Sequence, residues 1–132
     1  MTFFENELIK MFGKNEAMTD IRCIANTLVG RLTPDTIAKI SFSKTINQGE
    51  YPGVLIRVID PKRGEIDKQS INFCDAFGRL RKENIHIYDS GDGITCWHGF
   101  SPSRQDYEDI NLSAQQYLEM FLEPVQDMGL SI

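Results

Sequence analysis

Apolar and polar residues alternate along three segments in the middle of the chain. Successive side chains of a strand point to opposite faces, so each segment offers one apolar stripe to a common surface. The stripes are Ala38, Ile40 and Phe42, then Val54, Ile56 and Val58, then Ile71 and Phe73. Turn-forming residues separate these segments, so the pattern predicts neighbouring antiparallel strands joined in chain order, a meander whose last strand ends at Phe77-Gly78.

Further strands are predicted on both sides of this meander. Residues 21–32 are rich in apolar and β-branched types and are predicted to form one strand, although Ile24, Leu28 and Leu32 also have helical spacing. A tight turn at Thr33-Pro34-Asp35 favours the strand. Residues 85–88 and 94–98 flank a glycine-containing turn at 89–93 and are predicted to form a hairpin. The sheet would then have about six strands.

Two helices are predicted, one near each end of the chain. Thr2 and Glu5 have the spacing of a capping box, and the apolar stripe that follows ends at Gly13. In the second helix, Ser101-Pro102-Ser103 supplies an N-cap, Asp106 lies favourably near the positive end of the helix dipole, and Pro124 ends the run. The apolar positions are Phe4, Leu8, Met11 and Phe12 in the first helix, and Tyr107, Ile110, Ala114, Tyr117, Leu118 and Phe121 in the second.

These elements predict one domain over residues 1–132. It comprises an N-terminal helix at 1–14, an antiparallel sheet at 20–100, a C-terminal helix at 102–123 and a tail at 124–132. Cys23, Cys74 and Cys96 are odd in number and widely spaced, which is typical of small core residues in a reducing compartment. No segment resembles a signal peptide or a membrane span, so a cytoplasmic location is expected.

The net charge of −5 is unevenly distributed along the chain. Residues 1–100 hold 13 acidic and 13 basic side chains, whereas residues 101–132 hold six acids against Arg104 alone. An acidic C-terminal helix would disfavour phosphate backbones and anionic lipid, and would suit a basic partner surface. The simpler interpretation is a solvated helix face that aids solubility.

Little in the sequence indicates metal binding or catalysis. His86, Cys96 and His98 could converge on zinc if the predicted hairpin forms, but no C-x-x-C pair is present and strand thiols are usually core residues. The acidic turn at 89–93 lacks the ligand spacing of a calcium loop. Cys74-Asp75 with the two histidines is the only material for a nucleophilic site. No metal and no cofactor are therefore predicted, and a small Cys/His enzyme is the minor alternative.

Two surfaces are candidates for binding. Arg79, Arg81 and Lys82 form a basic loop that could contact phosphates, although acidic neighbours dilute it. In the predicted hairpin, His86, Tyr88 and Trp97 could share one face, either as an anchor for a protein partner or as core residues, depending on strand register. The acidic helix adds a third candidate, whose members are Asp106, Glu108, Asp109 and Glu119.

The chain also resembles a family of small uncharacterised proteins carried by conjugative transposons, plasmids and phages of Firmicutes. The matching positions are residues 26–32 with Thr36 and residues 39–42, residues 73–78, Trp97, and residues 101–103 with Asp106, Tyr107, Tyr117, Leu118 and Phe121. The family carries no activity or catalytic residues that could be transferred. The resemblance implies a mobile-element setting, with an accessory, regulatory or anti-defence role rather than a metabolic one.

The sequence therefore predicts an α+β fold, an antiparallel β-meander with an N-terminal helix and a longer C-terminal helix packed on the sheet. The expected function is non-catalytic protein–protein interaction through Tyr88, Trp97 and the acidic helix. The alternative is nucleic-acid binding through Arg79, Arg81 and Lys82. The identity of a protein partner and the oligomeric state do not follow from these patterns.

Overall fold

A computed structural model describes residues 2–46, 51–81, 84–85, 97 and 99–122. The first half consists of α1 (Phe3–Phe12), β1 (Thr19–Ile24), β2 (Thr27–Thr33) and β3 (Thr36–Ile46). The second half consists of β4 (Tyr51–Asp60), β5 (Gly64–Asn72), the short helix α2 (Phe73–Ala76), α3 (Arg104–Leu118) and a 3₁₀ turn (Glu119–Phe121). No helix in these residues is long and apolar enough to cross a bilayer.

The five strands form one antiparallel sheet in the order β1-β2-β3-β4-β5. The predicted α+β meander is confirmed, but the described sheet has five strands rather than about six. The third apolar stripe ends earlier than predicted, because the Asn72 side chain accepts hydrogen bonds from the backbone N–H groups of Cys74 and Asp75 and so caps α2. Of the predicted hairpin, the structure describes one antiparallel bridge, between Ile85 and Trp97.

Residues 21–32 form two strands instead of the single strand predicted. The chain turns at Ala25 and Asn26, whose φ angles of 52° and 61° match the two left-handed positions of a type I′ hairpin. Asparagine tolerates this conformation, whereas the Cβ of alanine makes it costly. Contacts with α1 stabilise the turn, because the Asn26 N–H donates to Glu5 Oε2 at 3.0 Å and the Thr2 hydroxyl donates to Asn26 Oδ1 at 2.5 Å.

The core lies between one face of the sheet and the helices. Alternate residues of the three central strands are fully buried there, namely Leu28, Ala38, Ile40, Val54, Ile56 and Val58. The predicted stripe of α1 and the residues Ile110, Ala114 and Leu118 of α3 are buried in the same cluster. The helices therefore pack on a single face of the sheet, and the other face carries the intervening residues of each strand.

The capping box predicted at Thr2 and Glu5 is present at the start of α1, and the N-cap predicted for the second helix is also part of a capping box. In α3 the N-cap is Ser103, and the Asp106 carboxylate accepts hydrogen bonds from the Ser103 N–H at 2.7 Å and from Arg79 Nη2 at 2.6 Å. Burial raises the pKa of Asp106, but these hydrogen bonds and the Arg79 charge together outweigh burial and lower it below its usual value. The helix ends at Leu118 rather than at 123, and the predicted tail lies outside the described residues.

Gly30 provides a test of the packing between the sheet and the loop before β1. A Cβ at this position would lie 2.6 Å from Sδ and 2.8 Å from Cβ of the buried Met18. We expect Gly30→Ala to lower the free energy of unfolding by about 1–3 kcal/mol, measured by urea denaturation, because the core is overpacked. Gly78→Ala is the matched control, since no atom lies within 4 Å of its added methyl group. Equal losses in the two variants would contradict this account, and adding Met18→Ala should recover part of the Gly30→Ala loss.

The pH dependence of stability tests whether the Asp106 carboxylate stabilises the start of α3. A carboxylate with a lowered folded-state pKa stabilises the fold above its unfolded pKa of about 3.9, and this contribution is lost as pH falls through the folded-state pKa. We expect Asp106→Asn to cost about 1 kcal/mol at pH 6, since a charge-assisted hydrogen bond is weakened. The difference from wild type should shrink below pH 4 in urea titrations.

The comparison of Asp106→Asn with wild type at each pH isolates the contribution of Asp106 from those of the other carboxylates. Hydrogen bonds also lower the pKa values of Glu5 and Asp60, but both groups are unchanged in the variant, so their contributions cancel. Asp109→Asn is the control on the exposed side of the same helix. A wild-type advantage over Asp106→Asn that is the same at every pH would show that charge at Asp106 does not stabilise the helix start.

Candidate binding surface

The face of the sheet opposite the helices is its solvent-facing side, and we call it the open face. Its side chains are exposed or half-buried, in contrast to the fully buried residues between them. They are charged, hydroxyl-bearing or aliphatic. The open face comprises Arg22, Ile24, Thr27, Val29, Arg31, Ile37, Lys39, Ser41, Leu55, Arg57, Ile59, Glu65, Lys68 and Ser70.

Strand register aligns four cations across this face. Arg22 pairs with Val29, Val29 with Lys39, Lys39 with Arg57, and Arg57 with Lys68, so that one line crosses all five strands. We call Arg22, Lys39, Arg57 and Lys68 the cation row. All four side chains are exposed. At a strand spacing of about 4.8 Å, the row is roughly 19 Å long.

A second line of side chains runs beside the cation row. The register places Ile24, Thr27, Ser41, Leu55 and Ser70 opposite one another on successive strands. Thr27, Ser41 and Ser70 supply hydroxyl groups, and we call them the hydroxyl row. The two rows are two residues apart along each strand, which corresponds to about 7 Å. Hydrogen-bond donors of two kinds thus flank a straight strip of the open face.

The open face is positive within an acidic protein. It holds five cations and one carboxylate, Glu65, and the carboxylate of Asp20 lies beside Arg31. Asp20 pairs with Arg31 and Glu65 pairs with Arg57, each at 3.4 Å. All four side chains are at least 40% exposed, so water screens both ion pairs and makes them weak. Within the described ranges, no carboxylate lies within ion-pairing distance of Arg22, Lys39 or Lys68.

A shallow depression lies among the cations. It has a volume of about 530 Å³, and Val29 and Ile37 line it together with Arg22, Lys39 and Arg57. Half-buried aliphatic groups beside exposed cations allow a partner to bury apolar surface while its negative charge is neutralised. The depression is therefore suited to an elongated anionic partner rather than to a small ligand enclosed on all sides.

The predicted basic loop has a different role at Arg79. Its guanidinium donates to Asp106 and lies 4.9 Å from the centre of the Phe100 ring, so it holds the start of α3 against the core. Arg81 is exposed, and Lys82 lies outside the described residues. Arg79 is itself exposed despite these contacts, so the phosphate contact expected of this loop stays a prediction.

The sequence left open whether Trp97 is an anchor for a protein partner or a core residue, and the structure packs it against the core. Its indole packs at 5.4 Å from the Phe73 ring and 6.0 Å from the Phe77 ring, and its Nε1–H donates to Glu7 Oε1 at 3.0 Å. The same buried carboxylate oxygen accepts a hydrogen bond from the Tyr107 hydroxyl at 2.7 Å. Glu7 thus joins α1, α3 and the Trp97 segment. His86 and Tyr88 lie outside the described residues.

The predicted acidic residues of α3 separate into two groups. Asp106 is 9% exposed and belongs to the helix cap, which removes it from the predicted binding face. Glu108, Asp109 and Glu119 are exposed, and each is hydrogen-bonded to a neighbour four residues away, respectively Arg104, Gln105 and Gln115. Leu112 of α3 is 51% exposed, and Met120 of the following 3₁₀ turn is 73% exposed. We call Glu108, Asp109, Leu112, Glu119 and Met120 the acidic face.

Of the two cysteines that the structure describes, Cys23 is a poor candidate for an activated thiol. Cys23 and Cys74 are half-buried against the core. Burial raises the pKa of the Cys23 thiol, and the Glu5 charge raises it further, so the reactive thiolate is disfavoured. No group of three potential metal ligands occurs in the part of the chain that the structure describes. His86, Cys96, His98 and the acidic turn at 89–93 lie outside it.

The cation row is the feature that sequence reasoning missed. Its members were visible as polar positions in alternating strands, since Lys39 lies between Ala38 and Ile40, and Arg57 lies between Ile56 and Val58. Alternation showed that such residues point away from the core. Their alignment depends on strand register and on the unpredicted turn at Ala25-Asn26, which places Arg22 in its own strand.

Comparisons with protein-family models, with curated proteins and with solved structures find no match to this chain. The resemblance to mobile-element proteins therefore stays a prediction, as does the setting that it implies. The function has to be inferred from the chemistry of the surfaces described above.

Proposed function

We propose that this protein is a non-catalytic binding protein whose open face contacts an anionic macromolecule. The observation that carries the proposal is the cation row, four Lys and Arg side chains in one line across an exposed sheet face. Aligned like charges on neighbouring strands repel one another and destabilise the sheet by a few tenths of a kcal/mol per pair. An anionic partner would relieve this repulsion on binding.

The composition of the chain makes this positive face unexpected. Acidic side chains outnumber basic ones by 19 to 14, so surface positions drawn at random would carry net negative charge. The open face instead holds five cations against one carboxylate of its own, Glu65, and a second, Asp20, that pairs with Arg31. Segregated charge of this kind steers a partner of opposite sign during encounter. A merely solvated face would not require it.

Charge reversal within the cation row tests the proposal. We expect the wild-type protein, despite its net charge of −5, to be retained on immobilised heparin at low salt, because the open face binds a polyanion locally. Lys39→Glu with Arg57→Glu should abolish retention. Lys14→Glu with Lys62→Glu changes the net charge equally at exposed positions away from the open face and should preserve retention.

Circular dichroism and thermal unfolding establish that both double variants are folded. Wild-type protein that passes through the column unretained would overturn the proposal. Equal loss of retention in the two double variants would do the same, because net charge rather than the open face would then govern binding.

The acidic face is a second candidate surface, for a protein partner with basic side chains. The observation that favours it is the exposure of Leu112 and Met120 among Glu108, Asp109 and Glu119. Apolar anchors surrounded by charge are common where proteins associate. This surface also preserves the predicted protein–protein role of the C-terminal helix, now without Asp106.

Reversal of the acidic face distinguishes this candidate from the first. In cross-linked pull-downs from host lysate after nuclease treatment, Glu108→Lys with Asp109→Lys should lower recovery of a basic partner about tenfold. Glu16→Lys with Asp35→Lys alters the net charge equally at exposed positions elsewhere and should not lower recovery. Unchanged recovery with the α3 variant, measured by quantitative mass spectrometry, would reject the acidic face.

A further inference from the structure

We infer that the anionic partner of the open face is the phosphate backbone of double-stranded nucleic acid, which the protein binds without reading base sequence. This inference rests on the proposed function and specifies its partner. Three features of the open face favour it over an acidic protein surface or a single strand: the linear arrangement of its charges, the chemistry of the neighbouring row, and the types of side chain that it presents.

The charges of the open face form a line rather than a scattered patch. The cation row is roughly 19 Å long and about one side chain wide. Phosphates follow one another along a polynucleotide strand, with one charge per about 3.4 Å of helix axis. A single row of cations complements such a regularly charged polymer. Carboxylates of an acidic protein surface are distributed in two dimensions and would meet only part of the row.

The hydroxyl row supplies the second kind of contact that phosphates make. Backbone phosphates in protein complexes accept hydrogen bonds from Lys and Arg and also from Ser and Thr. A phosphodiester chain lying between the two rows would have Lys39 on one side and Thr27 or Ser41 on the other. Half-buried Val29 lies in line with the cation row, and half-buried Leu55 lies in line with the hydroxyl row. Both offer aliphatic surface to the sugars.

The side chains of the open face favour a duplex over a single strand. Proteins that hold single strands stack bases on aromatic rings. Within the described residues, the open-face side chains are charged, hydroxyl-bearing or aliphatic, and Phe42 lies on the helix-covered side, where its ring contacts Phe4 and Phe73. Among the side chains that the structure describes, the open face thus offers contacts to phosphates and sugars and no aromatic ring for stacking. Such contacts carry no sequence information directly.

The charge on the other side of the molecule would orient the complex. The acidic face spans α3 and the 3₁₀ turn that follows it, and α3 packs against the opposite side of the sheet. A polyanion attracts the open face and repels the acidic face, so the protein would bind with α3 directed away from the nucleic acid. At physiological salt the Debye length is about 8 Å, and acidic side chains farther than this from the bound polyanion are largely screened. The net negative charge of the chain therefore does not prevent binding at the open face.

Fluorescence anisotropy with labelled duplex DNA of about 20 base pairs tests the inference. Four phosphate contacts predict that the logarithm of the binding constant falls with the logarithm of salt with a slope of about −3 to −4. Two duplexes of unrelated sequence should bind equally well. Lys39→Ala and Arg57→Ala should each reduce the slope by about one. Ser41→Ala should weaken binding with little change in slope, and Lys62→Ala should change neither quantity.

Other probes separate failure of this inference from failure of the proposed function. Retention on heparin with binding to polyglutamate but not to duplex DNA or duplex RNA would overturn the duplex assignment and preserve the proposed function. Tighter binding to oligo-dT than to the duplex would also overturn the assignment. Failure to bind heparin, polyglutamate and duplex alike would overturn both proposals, and so would a salt slope that no cation-row variant changes.

Discussion

Burial of one face of the five-stranded sheet beneath α1 and α3 is the constraint on which the other features of this protein depend. The period of two along each strand sends alternate residues to opposite faces, so covering one face with helices assigns every intervening residue to solvent. Ile40 and Ile56 are fully buried because the helices cover them, and Lys39 and Arg57 are exposed because they lie next to those residues. The hydrophobic core and the cation row are thus two consequences of one alternation.

A few polar contacts fix the helices over the sheet in a single arrangement. The Glu5 carboxylate accepts hydrogen bonds from the N–H of Thr2, the N-cap of α1, and from the N–H of Asn26 in the turn before β2. The Glu7 carboxylate accepts hydrogen bonds from both Trp97 and Tyr107. At the β5 edge of the sheet, the Tyr117 hydroxyl donates a hydrogen bond to Asp67 at 2.7 Å. Burial and the Asp67 carboxylate raise the pKa of Tyr117, so its hydroxyl stays protonated and remains a donor. Buried polar groups are costly unless satisfied, and such contacts therefore select one docking geometry among those that hydrophobic burial alone would permit.

The resulting molecule has charges of opposite sign on its two sides. The cation row lies on the open face, and Glu108, Asp109 and Glu119 lie on the outer side of α3. Composition conceals this division, because a net charge of −5 describes only the sum. A binding role for either side depends on the local field, which decays over about 8 Å in physiological salt. The two proposed surfaces can therefore act independently.

The sequence alone determined the local elements, because each depends on residues close together in the chain. The strand stripes, the Thr2–Glu5 capping box and the apolar face of the C-terminal helix were all predicted from spacing, and the structure confirms them. Local signals failed where a distant contact decides the outcome. The Ala25-Asn26 turn lacks a glycine and is stabilised by Glu5, and Asn72 ends β5 by capping a helix where alternation predicted more strand.

Only the tertiary structure decided which of these residues act together. Arg22, Lys39, Arg57 and Lys68 are separated along the chain, and a register shift of one residue would turn a strand's cation toward the core. Asp106 and Arg79 were predicted to belong to opposite kinds of surface, yet they bind each other at the start of α3. Alternation within a strand is a property of the backbone and can be read from sequence. The alignment of one strand with the next depends on turns and packing that bring distant residues together, and the proposed binding surface is a product of that alignment.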